Sequence, residues 1–309
     1  MKAKTGKKKS LWREIWKNKA VYLIMLPGIA WFILFAYGPM SGLQLAFKTY
    51  SMKLGIWGSP WCGLENFEYV FRDPSFLKSV GTTLWINAGR LIFQFPIPVI
   101  LALLMNELRL KRYKKVVQTV LTFPQFLSWV IVASIVINIL SYDGLVNSII
   151  AAMGGDTVNF TGNANLFQPL LYITENWKSA GWSAIIYMAA ISGIDMDQYE
   201  AADLDGASRI QKIFRITLPN ILPTVSVMFV LQMGSLMSGG FDQIFNLSNP
   251  AVKDVSEILD MYIYDITFGS TPDFSFSTAV SFFRSVVNCA FLVAADRGAK
   301  ALGGSGLFG

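Results

Sequence analysis

Six apolar stretches, at residues 20–47, 79–106, 116–140, 170–191, 218–241 and 278–295, are each long enough for a helix to cross a bilayer. Such a helix needs about 20 apolar residues. No soluble core takes up that much greasy surface: 53% of the 309 residues are hydrophobic and 15% charged, where soluble domains carry roughly 25% charge. Hydrocarbon offers no partner to backbone N–H and C=O groups, so spanning segments must satisfy their own as helices. The expected fold class is therefore an all-α membrane protein with six transmembrane helices. Lys2, Lys4, Lys7, Lys8 and Lys9 precede the first stretch as they would in a secretory signal. That stretch is too long for one and lacks a small-residue cleavage pattern, so it reads as an uncleaved span.

Six spans put both termini on one side, and the basic residues test this. Segments 1–19, 107–115, 192–217 and 296–309 hold 18 of the 26 Lys and Arg; segments 48–78, 141–169 and 242–277 hold 5, and Arg90, Lys178 and Arg284 lie within spans. The positive-inside rule then places the termini of a multi-pass membrane protein in the cytoplasm. The net charge of +6 is thereby an orientation signal, and nucleic acid is not an expected partner. The organisation is a basic segment at 1–19, one membrane domain at 20–295 and a cytoplasmic tail at 296–309. Leu11, Trp12, Ile15 and Trp16 fall at helical spacing beside Arg13, Lys17 and Lys19; they fit a helix on the inner leaflet or a solvated basic tail equally. Residues 67–78, broken by Asp73-Pro74, and residues 144–153 are candidate interfacial helices on the other face.

Catalysis is poorly supplied. The chain has no His, and Cys62 and Cys289 are isolated, which removes the usual base for Ser or Cys chemistry, most zinc sites and an internal disulfide framework. Thr5-Gly6-Lys7-Lys8 lacks the upstream glycine of a phosphate-binding loop and follows no strand. No cofactor is expected on this chain.

The connection 195–219 is the most specific segment. Residues 199–204 and 207–214 can each form a short helix, with Gly206 supplying a sharp turn between them. Ala201 and Ala202 leave one face low enough to dock in a groove. Glu200, Asp203 and Asp205 offer carboxylates to a cationic partner, and Arg209, Lys212 and Arg215 face lipid phosphates or that same partner. Pro219 fixes the entry angle of the fifth span, and Pro223 is placed to bend it.

Glu200-Ala201-Ala202, Gly206 after three residues, Ile216 after nine more and then Leu218-Pro219 resemble the EAA loop of binding-protein-dependent ABC importer permeases. Leu26-Pro27-Gly28, Tyr37-Gly38-Pro39-Met40, the run at 102–107, that at 177–182 and the terminal 303–308 are similar to oligosaccharide-importer permeases of lipoprotein-binding systems. The resemblance covers nearly the whole chain and implies a type I ABC importer permease fold with a cytoplasmic coupling helix at 195–219. It departs at Gln125, where that subfamily has His, so a role resting on the imidazole does not carry over. The implied assembly holds a second permease subunit, favoured as a heterodimer, two ATPase subunits that bind ATP and Mg, and an extracellular solute-binding protein. This chain supplies half the pathway and rocks as the ATPases close.

Candidate solute residues are the polar and aromatic ones inside spans. A central Arg90 costs about 2.5 to 3.5 kcal/mol on insertion scales; eleven Leu, Ile, Val and Phe between residues 86 and 104 return roughly 3 to 7 kcal/mol. Arg90 therefore lines an aqueous path or sits among bundle carbonyls. Gln94 shares its helix. Lys178 and Arg284 lie in the outer halves of their spans, where they face the path or snorkel, with Glu175 a ready helical partner for Lys178. Three cations against one intraspan acid favour an anionic solute. Trp177, Trp182 and Tyr187 either stack on sugar rings or anchor the helix at an interface. Gln232 and Ser235 fit the pathway, and Gly234, Gly239 and Gly240 fit close packing. The expected substrate is an oligosaccharide, with uronate carboxylates as the acidic option.

A secondary transporter would show repeated halves or intramembrane acids for ion coupling, and an intramembrane enzyme paired carboxylates or an activated nucleophile; neither pattern is present. Purification with an ATPase subunit, lost on Glu200→Lys or Gly206→Pro, is expected of the importer permease and of neither alternative.

Overall fold

A computed structural model describes residues 16–301, 303, 304, 306 and 307. The basic cluster at 2–9, the 5–8 segment and most of the amphipathic stretch at 11–16 lie outside the described residues. Among those described there is no strand, only an isolated antiparallel bridge between Lys48 and Trp61.

The first span begins with α1 (Lys19–Trp31) and continues through a π turn, Phe32–Tyr37, into a 3-10 segment, Gly38–Phe47. No side chain of α1 is buried, as suits an apolar helix facing lipid or a neighbouring subunit. A short helix α2 (Glu65–Arg72) then leads to α3 (Pro74–Phe93), where the Asp73 side chain accepts the Ser75 N–H and Pro74 takes the first turn. Asp73 thus starts the second span five residues earlier than hydropathy alone places it. Pro96 lacks an N–H, so the helix breaks at Gln94-Phe95 and resumes as α4 (Pro96–Asn106).

The third stretch is bent. After α5 (Lys111–Thr122), Pro124 forces a 3-10 elbow at Phe123–Phe126, and Ser128 caps α6 (Trp129–Leu140). Then follow α7 (Leu145–Ala152) and α8 (Ala164–Ser192). The coupling segment contains α9 (Met196–Leu204). The fifth span, α10 (Leu218–Met233), stops at Gly234, and the chain resumes as α11 (Phe241–Leu247) and α12 (Leu259–Phe268). The last helix, α13 (Phe274–Ala301), extends the sixth span at both ends.

Among the described residues, five helical stretches are long and apolar enough to cross a membrane: Lys19–Phe47, Pro74–Asn106, Trp129–Ala152, Arg209–Met233 and Phe274–Ala301. The remaining expected span is α8, whose 29 residues make about 43 Å of helix, ample length. Gln168, Glu175, Asn176 and Lys178 lower its hydropathy. It tolerates them because it is the central helix, packed by α3, α4, α5, α10 and α11 rather than by lipid.

Among the described residues, three apolar clusters hold the bundle. Two lie toward the end remote from α9: one around Phe76, Met237, Leu259 and Ala279, the other around Ile86, Phe167, Leu171 and Ile244. The third joins Ala102, Ala184, Tyr187, Ile191 and Ile221 beneath the coupling segment. At the far end Lys78 donates to Asp254 at 2.6 Å, which holds that carboxyl below its usual range. Gly181 lets α8 meet α5: a Cβ there would run into the Leu121 carbonyl, whereas Gly81 faces open space. Gly181→Ala should lower the thermal stability of the detergent-solubilised protein by about 1 to 3 kcal/mol, and Gly81→Ala should not.

Candidate functional site: a polar cavity and a broken span

A cavity of about 330 Å³ opens where α3, α8 and α10 meet. Polar residues at four-residue spacing on α8, Glu175, Ser179, Ser183 and Tyr187, form one wall. Asn87 and Arg90 on α3, with Gln94 just past its end, form another, and Gln232, Ser235 and Ser238 a third. The structure thus brings together Arg90, Gln94, Tyr187, Gln232 and Ser235 of the residues expected on the path.

The floor is the gap in the fifth span between Met233 and Phe241. Irregular backbone at membrane depth must find partners elsewhere, since an unpaired group there costs several kcal/mol. Side chains distant in sequence supply them. The Asn87 amide donates to the carbonyls of Leu236 and Ser238 at 2.8 and 3.4 Å. Asn288 accepts the Met237 N–H at 2.8 Å and donates to the Ser238 hydroxyl at 2.7 Å. Asp260 accepts the Gly239 N–H at 3.3 Å.

Arg90 sits in this floor, 6% exposed. Its Nη2 donates to Gln243 Oε1 at 2.7 Å and its Nη1 to Asn87 Oδ1 at 3.3 Å. The buried Gln243 is in turn fixed by donating to the Leu171 carbonyl and the Thr174 hydroxyl at 2.7 and 2.9 Å. Gly239 and Gly240 have φ of +109° and +83°, and a Cβ on Gly240 would overlap the guanidinium. The expectation that the glycines serve helix packing holds for Gly234, which abuts Leu292. For Gly239 and Gly240 it is corrected: they make a left-handed turn that cradles a cation. Two buried nitrogens, Arg90 Nε and Gln94 Nε2, have no hydrogen-bond partner among the described residues.

Four expected pathway residues lie elsewhere. The Lys178 ammonium is buried, donates to the Gln125 carbonyl at 2.9 Å and rests 5.7 Å from the Trp129 ring centroid. It neither snorkels nor forms an ion pair with Glu175. The Gln125 contact is through the backbone, so it survives the departure from His. Arg284 is paired with Asp260, an acid outside the spans that a count of intraspan charge does not include. Trp177 and Trp182 are about half exposed and line no part of the cavity; Trp182 packs edge-on against Phe126. The three-cation field expected of the path thus reduces to Arg90, with Glu175 on the facing wall.

The coupling segment folds as a knob. Asp195 caps α9, Gly206 turns the chain at φ +71°, and Ser208 forms a capping box with Gln211 over a single turn, Arg209–Lys212. A π turn, Ile213–Thr217, then runs into α10, with Pro219 in the first turn and Pro223 inside it. Tyr199 meets Thr217 at 2.8 Å, and Lys212 pairs with Asp203 at 2.7 Å. Asp203 is thereby tied to Lys212 while remaining exposed itself, as are Glu200, Ala201 and Asp205; Ala202 is half-buried. Met196, Leu204, Ile210 and Phe214 are at least 64% exposed. This apolar rim was not among the expected contacts, and it gives the knob more greasy surface than the two alanines.

The family model described as binding-protein-dependent transport system inner membrane component matches residues 94–296. The chain belongs to that family. It is the membrane-spanning permease subunit of an ABC importer, a non-catalytic part of the machine. Among its relatives, the polygalacturonan/rhamnogalacturonan transport system permease protein YteP of Bacillus subtilis (strain 168) is 41% identical, the match covering 99% of this chain and 95% of that protein. Protein LplB of the same organism is 39% identical over 98% of this chain and 95% of its own length. A chain of a bacterial alginate ABC transporter, solved with alginate pentasaccharide-bound periplasmic protein, superposes with a TM-score of 0.87 at 35% identity, covering 97% of this chain and 100% of that one.

In this permease the sequence reading missed Asn87, Gln243, Asp260 and Asn288. The four-residue polar spacing on α8 was a legible signal for its wall; the amides that close the broken span carried none. Asn288→Leu should leave the Met237 N–H unpaired and lower thermal stability in detergent by about 1 to 3 kcal/mol.

Proposed function

We propose that the chain forms half of the solute path of an importer of acidic oligosaccharides, with Arg90 as its anion contact. The observation that carries this reading is the pair of unpartnered buried donors, Arg90 Nε and Gln94 Nε2, on residues lining a cavity rich in hydroxyls and amides. Buried donors are rarely left unpaired, and a carboxylate accepts from both. Ser179, Ser183, Tyr187, Gln232 and Ser235 suit sugar hydroxyls, and Glu175 opposite repels a carboxylate bound in the reverse sense. The relatives' names support the same class, since they carry polygalacturonan/rhamnogalacturonan and alginate. Lys178, Arg284, Trp177 and Trp182 are not assigned solute contacts in this reading.

The permease sits in the bacterial cytoplasmic membrane with both termini inside, paired with a second, non-identical permease subunit. Two ATPase subunits holding ATP and Mg grip the knob at Glu200, Ala201, Ala202, Asp205, Gly206 and Arg209. Asp203, Ile216, Leu218 and Pro219 hold the knob to α10. A solute-binding protein delivers the sugar at the far end. When the ATPases close, the knobs are drawn together, and α10, continuous with the knob, carries the motion to the cavity wall.

Uptake by the reconstituted complex tests the assignment. Arg90→Gln should raise the half-saturating concentration of an oligogalacturonate about tenfold or more, as expected for loss of a charged hydrogen bond, and leave that of its methyl ester nearly unchanged. Equal effects on both solutes would remove Arg90 as the anion contact.

A further inference from the structure

We propose that Asp260 is a positioning residue for the cavity, a clasp through which α12 at the far end sets the direction of the Arg90 guanidinium. The inference rests on the reading of Arg90 as the anion contact.

Asp260 lies in the first turn of α12, outside the spans, and its side chain is 15% exposed. One carboxylate oxygen takes Arg284 of α13 and the other takes the Gly239 N–H. One side chain therefore ties the sixth span to the gap in the fifth. The next residue of that gap, Gly240, lies where any Cβ would strike the guanidinium, and Gly240 also begins α11, whose Gln243 accepts from Arg90. A shift of the Gly239–Gly240 turn consequently moves both the cradle and the acceptor.

α12 is itself fixed to α3, the helix that carries Arg90. The Leu259 N–H donates to the Thr83 hydroxyl at 2.7 Å, and the Tyr262 hydroxyl donates to Asp73. Burial, and then that hydrogen bond, push the Tyr262 hydroxyl above its ordinary range. α12 and α3 are thus braced together at Asp73 and Thr83, while Asp260 alone among these contacts reaches the turn and α13. Through this carboxylate a displacement of α12 relative to α13 would reach the turn at Arg90, alongside the ring contacts that Tyr264 of α12 makes with Phe241 and Phe245 of α11. Two glycines with positive φ allow the turn to occupy a conformation that other residues rarely adopt; Asp260 holds it at the Gly239 N–H, next to the Met237 and Ser238 groups that Asn87 and Asn288 hold.

The test is a double-mutant cycle on the assembled, reconstituted transporter. Asp260→Asn keeps an acceptor for Gly239 but loses the charge that holds Arg284. Alone it is expected to raise the half-saturating concentration of an oligogalacturonate severalfold more than that of its methyl ester. Added to Arg90→Gln it should have little further effect, because both act through one guanidinium. Equal impairment of both solutes, or an effect that multiplies fully with that of Arg90→Gln, would show a structural role only and overturn the proposal. A cryo-EM structure of the Asp260→Asn complex gives a readout independent of solute: the guanidinium should leave Gln243 and the Gly240 cradle. A guanidinium found in place overturns the clasp whatever the uptake. If Arg90→Gln fails to discriminate the two solutes while the guanidinium still moves in Asp260→Asn, the anion-contact reading falls and the clasp stands.

Discussion

The rest of the structure depends on one constraint: polar backbone interrupted at membrane depth must be paired by something other than water or lipid. The fifth span breaks after Met233, and the groups it frees are taken by Asn87, Asn288 and Asp260 from three other helices. Those bonds lock α3, α10, α12 and α13 about a single point. They also make the only kind of place in a bilayer where irregular chain is stable, inside protein or beside a water-filled space. A polar cavity lies beside the break, lined by Asn87 and by Ser238, Gly239 and Gly240 of the break itself.

From that point two mechanical paths leave. One runs down α10, continuous from the cavity wall through the turn at Ile213–Thr217 to Arg209–Lys212, and the Gly206 turn joins it there to α9. The other leaves through Asp260 to α12. Because protein interiors are close-packed and shift between discrete arrangements rather than deforming smoothly, a displacement on either path is felt where they meet, at the turn holding Arg90. α8, packed by α3, α4, α5, α10 and α11 among others, presents its polar stripe to the cavity.

Much of this was legible in the chain. Span lengths and the spacing from Glu200 to Pro219 are local properties, and the structure places helices and a glycine turn near where they predict, with the third apolar stretch running on to Ala152 and the fifth stopping at Met233. Arg90 and Gln94 were recognisable because a charge and an amide in one apolar helix demand a polar setting. Lys178 and Arg284 misled for the same reason: they carry the same signal, yet their partners are the Gln125 carbonyl and an acid outside the spans, 53 and 24 residues away. Gly239 and Gly240 read as packing residues because their positive φ is a property of the turn and not of the sequence.

What the sequence by itself determined is whatever hydropathy and spacing can encode along a line: a helical membrane protein, its knob and its family. What only the tertiary structure decided is which of the buried charges face the cavity. The energy of a buried cation is set by its partners, and these come from helices whose order in space, unlike their length or polarity, no local pattern records.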